Sequence, residues 1–296
     1  MELYGPTLRK IRKQKGLSLK ELCKDSLSVS FLSKFERGES DISLTSMNQL
    51  LTRLNLSYDE FLFIHNDYSN ETIDSFFSRV NQAYMEQDIV KLEQLMEVEE
   101  NKNHLILLEL YVNILKNESS DDLQLNSQSL FDYLFSVEVW GYYELKLYSS
   151  TMLLMNPEMV LNLSHTAFKK GKRYHSFKDY KNVMVSIFLS TIIFLMGPVN
   201  KGNEMVTKYE EDILKFFSYI ESLKLDEYET HLRIHVRFIN GIYMIKRGRF
   251  KEGKELVNNM ISLLRQLNCE NNAADYERFL QLVLTGGGNK AAQLNI

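Results

Sequence analysis

A segment of short polar and basic side chains between residues 28 and 37 has the spacing needed to contact duplex DNA. It reads SVSFLSKFER, and Ser28 is a good N-cap for a helix that ends at Gly38. Helical periodicity turns Leu32 and Phe35 toward the interior. The major groove of B-DNA admits one helix, whose outer side chains reach base edges and phosphates. The predicted outer face comprises Val29, Ser30, Ser33, Lys34 and Arg37.

The residues around this segment complete a helix-turn-helix. Ser18 and Glu21 form an S-x-x-E capping box, which predicts the start of the preceding helix. At that helix start, the Ser18 hydroxyl and backbone N–H could both meet a phosphate. Three further helices are expected over residues 6–14, 44–54 and 58–64. Together these segments predict a five-helix domain over residues 1–66.

Charge is distributed unevenly along the chain. Residues 1–37 hold 9 basic and 4 acidic side chains, although the whole chain has a formal net charge of −4. A basic head on an acidic remainder favours a polyanionic partner for the head alone. We therefore expect double-stranded DNA to be that partner.

The composition indicates an all-α protein that works inside the cell. The 296 residues include only 3 prolines and 13 glycines, far fewer than all-β folds use in turns. Two cysteines suit a reducing compartment, and the N-terminal sequence lacks the apolar region of a secretory signal, so a cytoplasmic location is expected. The uncharged stretch of residues 183–199 is short for a membrane span, and we interpret it as a buried helix.

The remainder of the chain has the pattern of a helical repeat. Residues 67–284 alternate apolar-periodic segments with short polar breaks, at about 40 residues per helix pair. The clearest pair is INGIYMIKRGRFKEGKELVNNMISLLRQL, whose break at Gly248–Phe250 resembles the turn of tetratricopeptide repeats. We predict a tetratricopeptide-like array followed by a loose tail over residues 285–296.

The head also resembles a known family. The runs LRKIRKQKGLSLKEL, LSVSFLSKFERGESDISL and LLTRLNLSYDEFL are similar to the DNA-binding domain of the Rgg/GadR/MutR family of bacterial transcriptional regulators. The resemblance implies a lambda-repressor-like helix-turn-helix domain and a right-handed tetratricopeptide-like array. It also implies a homodimer whose concave array surface binds a short intracellular signalling peptide, as in quorum sensing.

The resemblance assigns roles to individual residues of the head. It implies that Arg12 pairs with Glu36 and so holds the first helix against the recognition helix, which is the helix predicted over residues 28–37. The sequence departs from the family pattern at Val29 and Phe31, where polar residues are commoner, and at Lys34, where arginine is commoner. Either apolar side chain could meet a thymine methyl. The complete set of expected DNA contacts is Ser18, Ser28, Val29, Ser30, Phe31, Ser33, Lys34 and Arg37.

A groove for an extended peptide needs amide and guanidinium groups for the peptide backbone and aromatic walls for its side chains. Residues of these types occur on the predicted inner helices of the array, and two arginines four positions apart could bind a C-terminal carboxylate. Helix packing or surface exposure explains each of them equally well. The candidates are Tyr142, Tyr143, Asn182, Arg233, Arg237 and Phe238.

The remaining motifs do not favour catalysis. His231 and His235 have i, i+4 spacing, but no third ligand accompanies them, so they are interpreted as groove or surface residues and no metal site is predicted. Catalytic serine, zincin and cofactor motifs are missing from the sequence, so neither an enzyme nor a cofactor is expected. Two alternatives stay open: a helical-repeat scaffold that binds proteins, and a regulator that senses a small molecule.

Overall fold

The structure is a computed structural model in which two compact units, Met1–Phe76 and Phe77–Ile296, can be distinguished. This division falls ten residues after the boundary predicted from the sequence. The predicted tail beyond Thr285 lies outside the described residues, as does part of the turn before the recognition helix. The described residues are 3–24, 27–68, 73–116, 120–174, 177–197 and 204–285.

The described part of the first unit contains five complete helices, as the sequence predicted, and the first turn of a sixth. Their core consists mainly of leucines, and its members Leu8, Leu32 and Phe61 are completely buried. This core fixes how the helices pack and therefore which side of each faces solvent. The helices are α1 (Tyr4–Gln14), α2 (Leu19–Cys23), α3 (Val29–Glu36), α4 (Leu44–Arg53) and α5 (Tyr58–His65).

Serine caps and a close backbone approach set the geometry of the head. The side chain of an N-cap serine accepts a backbone N–H at the start of each helix from α2 to α5. Gly5 allows α1 to approach the end of α3, because a Cβ at this position would lie 1.7 Å from the Phe35 carbonyl oxygen. The recognition helix therefore has a fixed start and a fixed support.

The second unit is an array of helices. It begins in α6, whose first turn belongs to the first unit, and the helices from α7 onward pack as neighbours along the chain. The helices are α6 (Ile73–Met85), α7 (Ile89–Val98), α8 (Lys102–Lys116), α9 (Ser120–Ser136), α10 (Tyr142–Thr151), α11 (Pro157–Lys170), α12 (Lys178–Leu195), α13 (Glu204–Lys208), α14 (Glu210–Ser222), α15 (Thr230–Lys246), α16 (Phe250–Gln266) and α17 (Glu270–Thr285).

The packing order gives the array two layers. Helices α10, α12, α15 and α17 contact one another in succession, and α9 packs on α11. This arrangement is that of a tetratricopeptide-like repeat, in which alternate helices form the inner layer. The all-α fold predicted from the sequence is confirmed, and every element assigned in the described residues is helical.

Helix α12 occupies the centre of the array. Its apolar residues from Val183 to Leu195 are mostly buried, which agrees with the interpretation of that stretch as a core helix. Within the described ranges, no helix is long and apolar enough to cross a membrane. One polar network crosses this core: the Tyr148 hydroxyl donates to the Val160 carbonyl (2.8 Å) and contacts Ser164, which contacts Thr191 (2.7 Å).

Apolar periodicity predicts single helices over residues 138–155 and 201–222, and the structure differs from both predictions. The first helix begins only at Tyr142, because Gly141 is the N-cap and the Glu144 side chain accepts the Gly141 N–H. The second segment is two helices in its described part, separated at Tyr209, which has non-helical backbone angles.

Candidate DNA interface and ligand groove

Helix α3 presents one polar face and buries the other. Leu32 and Phe35 are 0% and 4% exposed, and they anchor the helix in the head. Ser30, Lys34 and Arg37 are exposed and Val29 is 44% exposed, whereas Ser33 and Phe31 are half-buried. Ser28 caps the helix by accepting the Phe31 N–H at 3.1 Å. The predicted face is therefore accessible, with Phe31 and Ser33 at its edge.

A buried ion pair joins α1 to α3. Arg12 donates from Nε and Nη2 to the two carboxylate oxygens of Glu36, at 2.6 and 2.7 Å. Its Nη1 donates to the Leu17 carbonyl at 2.7 Å, in the loop before α2. Arg12 and Glu36 are 7% and 3% exposed. The pair therefore supports the recognition helix from behind and cannot reach DNA.

The start of α2 differs from the prediction in one respect. The Ser18 N–H donates to the Glu21 carboxylate at 2.7 Å, so it is already used within the capping box. Hydrogen bonds from the Ser18 hydroxyl and from its N–H lower the pKa of Glu21. The Ser18 oxygen also accepts the Glu21 N–H, so a phosphate at this helix start would have to replace the Glu21 carboxylate as the acceptor.

The C-terminal end of α3 folds back on itself. Gly38 has a φ of 75°, its N–H donates to the Phe35 carbonyl, and the Glu39 N–H donates to the Lys34 carbonyl. These two bonds define a Schellman motif, in which the chain turns back beside the last helical turn. As a result Glu39 lies beside Arg37, whose Nε and Nη2 each donate to one of its oxygens at 2.6 Å.

The aromatic candidates of the array lie on α10. Tyr142 is half-buried, and the Lys146 ammonium lies 5.5 Å from the centre of its ring. The Tyr143 hydroxyl donates to Asn101 Oδ1 at 3.3 Å, and its ring lies 5.6 Å from that of His104. Burial raises the pKa of the Tyr143 hydroxyl. Tyr143 therefore contacts α8 and the residue just before it.

Asn182 provides an acceptor on α12. It is half-buried, and its Oδ1 is buried without a hydrogen-bond partner among the residues that the structure describes. The preceding residue, Lys181, pairs with Glu229 at 2.8 Å and so joins α12 to the segment before α15. This contact fixes the helix start that carries Asn182.

The arginines of α15 are accessible, but its phenylalanine is not. Arg233 and Arg237 are exposed, and Arg233 donates from Nη2 to the Leu225 carbonyl at 2.6 Å. Phe238 is 0% exposed and stacks on Tyr276 with the ring centres 3.8 Å apart. The prediction that Phe238 lines a groove was wrong, because α17 covers that side of α15.

His235 also differs from its prediction as a groove or surface residue. It is 2% exposed and packs edge-on against Tyr276, with the ring centres 5.2 Å apart. Burial, together with the nearby His231, lowers the pKa of His235 to about 4. It is therefore a neutral core residue, while His231 is exposed.

Comparison with protein families agrees with both units. The model described as HTH-type transcriptional regulator Rgg, C-terminal domain, matches residues 67–278, and a helix-turn-helix model matches residues 8–61. The chain belongs to the Rgg family. This Rgg protein is accordingly a transcription regulator with a DNA-binding helix-turn-helix.

The Rgg protein is similar over nearly its whole length to solved structures. The SHP pheromone receptor Rgg2 from Streptococcus dysgalactiae is 26% identical, with a TM-score of 0.76, and the match covers 94% of this chain and 98% of that one. A transcriptional regulator from Listeria monocytogenes EGD-e is 21% identical, with a TM-score of 0.82 and coverage of 96% and 97%. ComR from S. thermophilus, solved with DNA and its signalling peptide ComS, is 15% identical, with a TM-score of 0.57 and coverage of 96% and 100%. The last two matches establish a shared fold.

Sequence reasoning missed one residue of the Rgg head. Glu39 lies outside α3, yet it contacts Arg37 more extensively than any residue of the predicted face does. The signal was present in Gly38, because a glycine that ends a helix with positive φ brings the following residue back to the last turn.

Proposed function

We propose that this Rgg protein binds operator DNA through the outer face of α3 and that a short signalling peptide, bound by the inner helices of the array, controls this binding. The observation that carries the proposal is the pairing of an accessible polar face on α3 with its rigid support from Arg12 and Glu36. Rgg2 is described as a pheromone receptor, and ComR is described with both DNA and a signalling peptide, which supports the two partners.

Contacts to DNA are assigned by side-chain chemistry. Lys34 and Arg37 carry the charge and the donors that suit guanine or phosphate oxygens. Ser30 allows close approach of the helix to the groove, and Val29 can meet a thymine methyl. The hydroxyls of Ser18 and Ser28 suit phosphates on either side. Phe31 and Ser33 contribute at the edge of the face.

The groups that suit a peptide lie on three helices in contact. Helix α10 packs on α12, and α12 packs on α15, so the helices that carry Tyr142, Asn182 and the two arginines are neighbours. In this proposal the Asn182 Oδ1 accepts a peptide N–H after the side chains that bury it move aside, and the guanidinium groups of Arg233 and Arg237 bind the peptide carboxylate. Tyr143 supports these helices from the side of α8.

A homodimer in the cytoplasm completes the proposal. Two heads held by a dimeric array would read two half-sites about 34 Å apart, or a multiple of that distance. A peptide would change DNA binding only through different contacts in two states of the array. Its synthesis and return to the cytoplasm would then report cell density.

A gel shift on the intergenic DNA beside the gene tests the head. We expect the Lys34→Ala/Arg37→Ala variant to lose at least about tenfold in affinity, because it loses both basic side chains of the face. The Lys251→Ala/Lys254→Ala variant removes the same charge from exposed positions of α16 and should bind like the wild type. Equal binding by all three proteins would reject α3 as the DNA-reading element.

Calorimetry tests the array. Synthetic peptides encoded by short reading frames beside the gene are titrated into the wild type and into Asn182→Ala. We expect one peptide to bind, and the variant to bind it several-fold more weakly because an acceptor is lost. Binding of a metabolite pool but no peptide would favour a small-molecule sensor, and protein partners without DNA affinity would favour a scaffold.

A further inference from the structure

Arg37 is held by two residues of its own helix end. Glu39 accepts hydrogen bonds from Nε and Nη2 at 2.6 Å each, and the Ser33 hydroxyl oxygen accepts from Nη1 at 2.6 Å. The Schellman motif at Gly38 places Glu39 there, and helical spacing places Ser33 one turn earlier. The contact is therefore a product of how α3 ends and needs no other part of the molecule.

The hydrogen bonds that Arg37 already makes determine how many of its N–H groups can still donate to DNA. Arginine has five N–H groups in one plane. Glu39 receives two of them and Ser33 receives one, so one N–H on Nη1 and one on Nη2 remain. With Glu39 on the Nε edge and Ser33 on the helix side, these two N–H groups form a fork at the far end of the side chain.

We infer that Glu39 is a specificity-determining residue that, with Ser33, positions Arg37 to bind the O6 and N7 atoms of one guanine. Such a fork matches the two acceptors that guanine presents in the major groove. The inference deepens the proposed function and rests on it, because it assigns a base to one residue of the α3 face.

A carboxylate beside Arg37 favours a base contact over a phosphate contact. Glu39 offsets the charge of Arg37, which weakens the attraction to phosphates that a lone arginine would have. Glu39 does not use the two remaining N–H groups of Arg37, but it restricts the direction in which they point. Recognition of a base requires such a fixed direction. The hydrogen bonds from Arg37 also lower the pKa of Glu39, so the carboxylate stays ionised at neutral pH.

The test uses the full-length protein and a duplex enriched by the wild type from a random-sequence pool. Each guanine of that duplex is replaced in turn by 7-deazaguanine, which lacks the N7 acceptor. We expect the affinity of the wild type to fall about fivefold or more when one particular guanine of each half-site is replaced. The affinity of the Glu39→Gln and Arg37→Lys variants should fall much less on the same replacement, because neither variant keeps a fixed pair of N–H donors.

Asp41→Asn is the matched control. Asp41 is exposed, lies two residues beyond Glu39, and carries the same charge. The Asp41→Asn variant should lose as much affinity as the wild type when the chosen guanine is replaced by 7-deazaguanine. It should bind every duplex slightly more tightly. If Glu39→Gln behaves in this way too, Glu39 acts only through its charge and the inference is overturned. If the wild type enriches no sequence at all, the proposed function fails first, and this result is distinct from a failure at Glu39 alone.

Discussion

At the scale of single residues, the support of the recognition helix depends on the Arg12–Glu36 ion pair. Both groups are removed from water, which costs several kcal/mol for each ion, and two short hydrogen bonds together with the Leu17 carbonyl offset that cost. The hydrogen bond to Glu36 raises the pKa of Arg12. The pair specifies the geometry of α1 and α3 more than it adds net stability.

Removing one partner of this pair should be far more damaging than removing both. We expect Glu36→Leu to lower the local stability of the head by about 3–5 kcal/mol, because it leaves Arg12 buried without its counter-ion. Arg12→Met/Glu36→Leu should recover most of that loss. Hydrogen exchange of the amides of α1 and α3 measures both values, and equal exchange in the single and double variants would contradict this account.

The sequence was informative about residues whose environment is set within one helix. The inward direction of Leu32 and Phe35 follows from their spacing along α3. The burial of Phe238 does not, because it depends on α17, more than 30 positions later in the chain, covering that side of α15. Glu39 was missed for a local reason: its contact with Arg37 depends on the turn at Gly38, just after the helix.

At the scale of elements, α15 and α16 pack through a pair of glycines. A Cβ at Gly253 would lie 2.6 Å from the Gly241 carbonyl oxygen and 2.9 Å from the Ile245 backbone nitrogen. Both contacts are with backbone, which cannot move aside. The Gly248 turn, with a φ of 84°, brings the two helices into this antiparallel contact.

Gly253→Ala should therefore destabilise the array although alanine favours helix. We expect a loss of about 1–3 kcal/mol from overpacking, measured by urea unfolding followed by circular dichroism. Asn258→Ala on the exposed face of α16 makes a similar change in helix propensity without a clash, and it should be neutral or slightly stabilising. A stabilised Gly253→Ala variant would show that the helices are not so closely packed.

The contact between α15 and α17 should depend on pH through His235. Its pKa is about 4 in the folded chain, where burial and His231 disfavour the charged form, and 6.5 is its ordinary value. The unfolded chain therefore takes up the proton first, and stability is lost as the pH falls from about 6.5 to 4. The full loss is about 3 kcal/mol.

The variant His235→Phe should have a smaller loss of stability between pH 7 and pH 5 than the wild type. The ring still fills the space against Tyr276, but it no longer binds a proton. Thermal unfolding at the two pH values measures the difference, with Asn258→Ala, at an exposed position that binds no proton, as the control. An unchanged pH dependence in His235→Phe would assign the effect to other groups.

At the scale of the whole molecule, charge is distributed unevenly along the chain, and its basic part coincides with the helix-turn-helix segment. Residues 1–37 carry an excess of basic side chains, whereas the chain as a whole is acidic. This division and the helical repeat pattern could be predicted from composition and periodicity alone. The inner layer of the array could not be assigned residue by residue, because it depends on how several amphipathic helices pack together.

Binding to DNA should weaken steeply with salt despite the overall negative charge. Each phosphate neutralised by the head contributes about 0.9 to the slope of log affinity against log salt. Fluorescence anisotropy with a labelled duplex should show at least about a tenfold loss between about 50 and about 200 mM salt. A flat response would favour the scaffold alternative.

Methylation of the bound operator by dimethyl sulfate shows which groove of the DNA is occupied by helix α3. The reagent reacts with guanine N7 in the major groove and with adenine N3 in the minor groove, so one experiment identifies the groove that is occupied. We predict protection at guanine N7 in each half-site, lost in Lys34→Ala/Arg37→Ala, with adenine N3 still reactive. Protection confined to adenine N3, or guanine protection that persists in the variant, would contradict the placement of α3 in the major groove.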